Sequence, residues 1–458
     1  MERIVVERAA SGRWLVPALT LLYLLVLLLL GSCSAGNPFS GTTTELASRG
    51  GRWAVVIYVA ADNDLEAQAI EDINELEAAG IAGSEVTVVA LVDRAPGYDS
   101  SNGDWTGTRL YEIANDPGGM NDSIVSIPLS VPELGITVGG ADAELNMGDP
   151  ATLSALLDFA RTRYEPDHLG LILWGHGSGY RAGVREPIEP NGSRATSFDD
   201  SSSGDALLTA ELGGALSTAG VSLLGLDLCF GAGIELAYEL RSAVPIMVAS
   251  QGLIPADGWE YDDLFIRFLA SDLSPRAFGT SIVESFAASA STQAGATIAS
   301  IDLNEIGNVN SALNEFATGL EAQILTDALR SEVRAKLFYS VEDFYATPGD
   351  LNIDLGHMAK VIGDEFDLVD TESARLASAV DRAIIDRWTG SAALDATGLS
   401  VHLVPLESDG SAAASHDNGY LRDSGVEYGL EFVRDSTWPP SLSEETGLLY
   451  RLFYEVLP

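Results

Sequence analysis

The chain has little of several things. Two cysteines in 458 residues, Cys33 and Cys229, exclude a disulfide framework and a cysteine-rich metal site. Five histidines, His168, His176, His357, His402 and His416, are scattered without ligand spacing, so no metal-ligand set is legible. Basic residues are scarce: 25 Lys and Arg against 67 Asp and Glu leave a formal net charge of −42. Such a surface repels polyanions, which excludes nucleic acid and anionic membrane surfaces as partners of the folded body. Internal repeats and long low-complexity runs are also missing. A hydrophobic fraction of 46% then excludes wholesale disorder, because it can fill a substantial core.

What is present begins with an N-terminal address. Arg3, Arg8 and Arg13 precede an apolar run from Trp14 to Leu30, and Leu30-Gly31-Ser32-Cys33 follows. The pattern is that of a secretory signal, and the small residues before Cys33 resemble a bacterial lipobox. Residues 1–33 are therefore expected to be a lipoprotein signal, with Cys33 lipidated and the protein held in the cell envelope, facing outside the cytoplasm. An uncleaved transmembrane anchor is the alternative, since the run is nearly long enough to span a bilayer. Residues 34–51, rich in Ser, Gly and Thr, read as a tether. With Cys33 lipidated, Cys229 is a lone thiol, either buried and inert or chemically employed.

From residue 52 strands and helices alternate. Continuous apolar runs at 54–60, 85–92, 170–174, 221–228 and 245–249 read as strands covered on both faces. Helices are expected over about 65–79, 150–164, 207–218 and 234–240, with Asp62-Asn63-Asp64 supplying cap chemistry for the first. This alternation predicts an α/β fold, doubly wound, with a mostly parallel sheet flanked by helices. Residues 94–149 read as a hairpin-bearing excursion. A core is assigned to 52–303, ending with two helices and a strand at 296–303. Residues 304–458 are assigned as a mixed C-terminal extension: helices to about 387, a strand at 399–404, a loop-rich stretch over 405–440 and a closing helix over 442–456.

Two strands end in reactive side chains: Leu171-Ile172-Leu173-Trp174-Gly175-His176, and Leu224-Gly225-Leu226-Asp227-Leu228-Cys229. In open α/β sheets ligands gather beyond the carboxyl ends of the strands, so neighbouring ends would bring thiol and imidazole together. A cysteine and a histidine suffice for nucleophilic catalysis. A helix starting just after Cys229 is expected to lower the thiol pKa through its dipole. Flanking glycines allow close backbone approach and leave amides for an oxyanion. The competing readings are a small buried hydrophobe for Cys229 and a plain turn for His176. A serine-hydrolase elbow fails at Ser178, because His176 occupies the position of its first glycine.

An ordered set of segments resembles the clostripain family of cysteine peptidases: Tyr58-Val59-Ala60-Ala61-Asp62-Asn63-Asp64-Leu65-Glu66, Trp174-Gly175-His176-Gly177, Asp227-Leu228-Cys229 with Glu235 to Glu239, and Ala249 to Tyr261. Weaker matches continue through residues 297–303, 398–401 and 428–438. The resemblance implies a caspase-like fold and a cysteine endopeptidase, with Cys229 as nucleophile and His176 as its partner. Gly177 and Cys229 would supply the oxyanion amides. Asp227 and Asp257 would form an acidic S1 pocket for Arg or Lys, as carboxylates binding a guanidinium through charge-assisted hydrogen bonds. Members are often activated by cleavage between the two strands, and here the 180–203 loop offers Arg185 and Arg194. Some members use calcium, so calcium is a cofactor the resemblance leaves open. The Asp62-Asn63-Asp64 and Asp199-Asp200 clusters carry no calcium-loop signature and read as caps and solvated acid. The rival from another class is a non-catalytic surface lipoprotein using the same fold for binding or adhesion.

Overall fold

Strand β1, Trp53–Ala61, is buried along its whole length, and its side chains alternate between two cores. Ala54, Val56, Tyr58 and Ala60 enter one apolar cluster, while Trp53, Val55, Ile57, Val59 and Ala61 enter the other. A strand covered on both faces has no polar side, so its sequence is a continuous apolar run instead of an alternation. The computed structural model describes residues 52–140, 143–177, 196–345, 351–403, 420 and 430–455.

β1 lies inside a nine-stranded sheet of order β13-β10-β9-β8-β5-β1-β2-β3-β4. β2 (Val86–Arg94), β5 (His168–Trp174), β8 (Val221–Asp227) and β9 (Ile246–Ala249) run parallel with it as a five-stranded centre. Helices α1 (Glu66–Ala78), α2 (Pro150–Tyr164), α3 (Thr209–Leu216) and α4 (Ile234–Leu240) occur between these strands, as the alternation predicts. Asp149 caps α2 by accepting from the Ala151 N–H at 2.8 Å, and Pro150 takes the first helical position. Both edges are antiparallel. β3 (Gly107–Glu112) and β4 (Pro128–Leu129), within the 94–149 excursion, extend the β2 edge. β10 (Thr297–Asp302) and β13 (Ile384–Thr389) extend the β9 edge.

Between β9 and β10 lie helices α5 (Tyr261–Ala270) and α6 (Pro275–Ser289). Phe268 stacks on Phe278 at 4.3 Å between ring centroids, and Trp53 meets both rings edge-on.

The C-terminal region departs from expectation in three places. The predicted run of helices is broken by β11 (Asp343–Tyr345) and β12 (Leu351–Asp354), which join β14 (Ser400–Leu403) in a separate antiparallel sheet. Strands of three and four residues are too short to show a period. The stretch ending near 387 is helix only to Ala383 and then becomes β13, with no glycine or proline to mark the change. The expected closing helix over 442–456 is helical only over 448–454 and ends as a π-turn at Tyr450–Tyr454; Gly447 at φ +100° ends any helical register before it. Among the described residues no helix is long and apolar enough to cross a membrane. Residues 1–51, with Cys33, and the segment 178–195, with Arg185 and Arg194, lie outside the described part.

Candidate active site at the carboxyl edge of the sheet

β5 and β8 are direct parallel neighbours, and their last residues, Trp174 and Asp227, are register partners. His176 and Cys229 each lie two residues further on, so they leave the sheet side by side at one edge. The turn carrying the histidine has glycines for steric reasons. Gly175 adopts φ +138°, and a Cβ there would lie 2.9 Å from the Ala60 carbonyl oxygen of β1. A Cβ on Gly177 would lie 2.7 Å from the Cys229 carbonyl oxygen, so the two chain segments touch at the backbone. This is also where strand order reverses, with β1–β2 leading one way and β5–β8–β9 the other, the usual position of a site in such sheets.

The imidazole is half exposed, and its Nε2 is 2.7 Å from Asp64 Oδ1 in the loop after β1. Sequence reasoning had treated Asp64 as a cap. No side chain caps α1; Asn63 instead closes the turn before it, its Oδ1 accepting from the Leu65 N–H at 3.0 Å. Nothing local distinguishes the two side chains; only the approach of β1 to β5 selects Asp64.

Cys229 is partly buried against Phe230, Phe344, Ala393 and Ala396, and its Sγ accepts from the Ile254 N–H at 3.3 Å. The expected helix-dipole activation does not occur. α4 begins only at Ile234, and the intervening turn places Phe230 at φ +60°, fixed by its N–H on the Gly252 carbonyl at 2.9 Å. Burial pushes the thiol up from its ordinary value, the Asp227 charge adds to this, and only the Ile254 amide opposes it. Such a thiol needs a base to ionise it. In this conformation the hydrogen bonds of the two groups go to Ile254 and Asp64.

The two expected pocket acids occupy different environments. Asp227 is buried at 4% exposure, and its Oδ2 accepts from the Trp259 N–H at 3.2 Å and the Tyr261 hydroxyl at 3.0 Å. Burial outweighs those hydrogen bonds and raises its pKa to about 7. Asp257 is exposed on the turn before Gly258. Gly258 sits at φ +64°, and a Cβ there would lie 3.1 Å from Asp227 Oδ2, so the turn closes over the buried carboxylate. A cleft of about 330 Å³ lies beside the thiol, lined by Phe230, Gly252, Ile254, Asp343 and Phe344 among others. Neither Asp227 nor Asp257 lines it.

Further acids underlie the site. Asp72 accepts from Trp174 Nε1 at 2.5 Å, and burial followed by the Asp227 charge raises its pKa. Glu75 accepts from the Tyr261 N–H at 2.8 Å, and burial raises its pKa to about 8. The reading of Asp62 and Asp199 as cap and solvated acid is wrong: both are buried, at 1% and 0% exposure, and converge with Asp93 and Glu144. No sequence signal marks that convergence, because the four residues come from four separate segments. Glu75, Glu260 and Asp262 form a second, partly exposed group.

The family model of the clostripain family matches residues 57–405. Clostripain from Hathewaya histolytica is 32% identical over 231 residues, which are 47% of this chain and 42% of that protein, so the match spans less than half of the relative. A secreted C11 cysteine protease from Bacteroides thetaiotaomicron, solved with an irreversible peptide inhibitor, superposes with a TM-score of 0.59 at 18% identity, over 82% of this chain and 98% of that one. An inactive zymogen C11 protease from Parabacteroides distasonis gives a TM-score of 0.57 at 18% identity, over 77% and 92% of the respective chains. At that identity the two structures establish the caspase-like α/β fold alone. With the family match covering most of its length, this chain belongs to the clostripain family.

Proposed function

We propose that the protein is a cysteine endopeptidase in which Cys229 and His176 form the catalytic pair. The observation carrying this reading is the Trp174–Asp227 register, which delivers both residues at one sheet edge over touching backbone. With Nε2 of His176 on Asp64, Nδ1 is the nitrogen that takes the Cys229 proton. The thiolate attacks the scissile carbonyl, and the amides of Gly177 and Cys229 stabilise the oxyanion. The imidazolium protonates the leaving amine, and water then hydrolyses the thioester with His176 again as base.

Substrates would carry Arg, or Lys, before the scissile bond. Asp227 and Asp257 supply the acid for it: an arriving guanidinium would lower the raised Asp227 pKa and ionise the carboxylate in place. The strained backbone at Phe230 supports the same reading, since such strain concentrates at functional turns.

Two further parts of the reading concern residues 1–51 and 178–195. Lipid on Cys33 would anchor the protein in the envelope with its body outside the cytoplasm, and cleavage after Arg185 or Arg194 would activate it. Mass spectrometry of the mature N-terminus, and of the chain before and after incubation, tests both.

The central test compares wild type with Cys229→Ala on a fluorogenic peptide ending in Arg. Hydrolysis by the wild type alone is expected. Equal signals from both proteins would remove the peptidase reading and leave a binding module on the same fold.

A further inference from the structure

The cleft of about 330 Å³ beside Cys229 is walled by Phe230, Leu253, Ile254, Pro255 and Phe344, and the acidic turn at Asp257 stands apart from it. Its volume lies at the small end of the roughly 300–1,000 Å³ range of ligand pockets, which gives room for a peptide side chain. The thiol belongs to the same apolar surface: Cys229 packs against the cluster of Phe230, Phe344, Ala393 and Ala396. Leu253, next to the residue whose amide holds the thiol, is 59% exposed. A large aliphatic side chain on the wall of a cleft, beside a nucleophile, is a surface prepared for an apolar partner. Asp343 is the only charged residue of the lining among the described residues, and no cation accompanies it.

The walls come from segments that the fold has fastened together. Phe230 is set by the bond from its N–H to the Gly252 carbonyl. Phe344 is the middle residue of β11 and pairs with Asn352 of β12. β12 ends at Asp354, whose Oδ2 accepts from Gln251 Nε2 at 2.8 Å, and Gln251 Oε1 accepts from the Gly398 N–H at 3.0 Å. Buried Gln251 thus ties the C-terminal strands to the segment that carries Gly252 and the Ile254 amide. Gly252 lets that junction close: a Cβ there would lie 3.1 Å from Phe344 Cδ1 and crowd the ring away.

We propose that this cleft is a second substrate subsite, which takes an aliphatic or aromatic side chain immediately beside the basic residue at the scissile bond. The inference rests on the peptidase reading and deepens it: substrates are recognised by a neighbouring pair of residues, one basic and one apolar. A peptide must lie across the thiol to be cut, so a residue flanking the basic one reaches a cavity against whose walls the thiol packs. Phe230 and Phe344 desolvate an apolar side chain there, while a carboxylate would lose its water and meet only Asp343. The C-terminal strands thereby take part in specificity, although Phe344 lies far from Cys229 and His176 in the chain.

Two series of internally quenched peptides test it, one varying the residue before Arg and one the residue after it among Leu, Phe, Ala and Asp. For the wild type, kcat/KM is expected to be at least about tenfold higher for Leu or Phe than for Ala in one of the series, and lowest for Asp. Phe344→Ala should bring the Leu and Ala peptides within about threefold of each other, while Phe344→Leu keeps most of the preference. Leu253→Ser, at an exposed position that the fold tolerates, should narrow the preference by about two- to threefold and carries the test if Phe344→Ala fails to fold. Equal cleavage of Leu, Ala and Asp peptides in both series would overturn the subsite and leave the peptidase reading standing. A preference unchanged in the variants would overturn it too, by placing the apolar pocket elsewhere. Cleavage of no peptide would instead remove the peptidase reading, and the subsite with it.

Discussion

Two groups of buried carboxylates lie along the same edge of one sheet, and they are finished differently. Under β5 and β8, Asp227, Asp72 and Glu75 each accept at least one neutral donor, from Tyr261, Trp259 or Trp174. Beyond β1 and β2, Asp62 and Asp93 each retain an oxygen with no donor. Burial alone therefore does not decide the state of an acid. The separating feature is whether the protein supplies every hydrogen bond itself. The first group is fully supplied with protein donors; the second keeps two acceptors that no protein donor reaches.

Several measurements can break or sharpen that contrast. The largest effect is expected at the reactive pair, which both acid groups flank: His176→Ala should lower kcat/KM on an Arg peptide by about 10³-fold or more, since the raised thiol loses its base. Next comes Asp227→Asn, expected to lower kcat/KM about 10²-fold for Arg peptides and much less for neutral ones. In the wild type the Arg-to-neutral rate ratio should climb as pH rises through about 7, where Asp227 ionises, and stay flat in the variant. A ratio independent of pH in both proteins would separate Asp227 from substrate charge.

A smaller change is expected at Asp64, a positioning residue. Asp64→Asn should reduce kcat about five- to tenfold with KM nearly unchanged, and Asp64→Glu should restore part of it. An effect on KM alone would assign Asp64 to substrate binding instead.

The smallest effect is on stability. Glu75 has its folded pKa raised to about 8, so the folded state keeps a proton that the unfolded chain loses above the ordinary carboxylate range. Its stabilising contribution is full below about 4.5 and is lost as pH rises through about 8. Glu75→Gln should flatten the decline in unfolding free energy across that window by about 1 kcal/mol, after allowance for solvent screening. An unchanged slope in denaturant titrations at pH 5 and pH 8 would show that Glu75 is not under strain.

The helices over 150–164 and 234–240 coincide with their predicted bounds because local signals agree: Asp149 and Pro150 open one, and Gly233 precedes the other. The central strands were legible as apolar runs for a related reason, since two-sided burial leaves no other composition. β13 was not legible, because Ile384-Ile385-Asp386-Arg387-Trp388-Thr389 is half exposed at an edge and continues a helix without punctuation. At the site, His176 and Cys229 were visible as chemically capable residues closing apolar runs. Asp64, Phe230 and the Asp62–Asp93–Glu144–Asp199 group were not, since their partners are far away in the chain.

By itself the sequence determined which segments become buried strands, where the charge lies, and which two residues can perform thiol chemistry, because hydrophobic period and side-chain reactivity are local properties. Only the tertiary structure decided the state of those groups. The thiol is raised instead of lowered because α4 starts too late to reach it, and burial, with the Asp227 charge behind it, outweighs the Ile254 amide. Acids that look alike in the chain become a fully hydrogen-bonded buried group or an unsatisfied cluster according to which donors the fold carries to them.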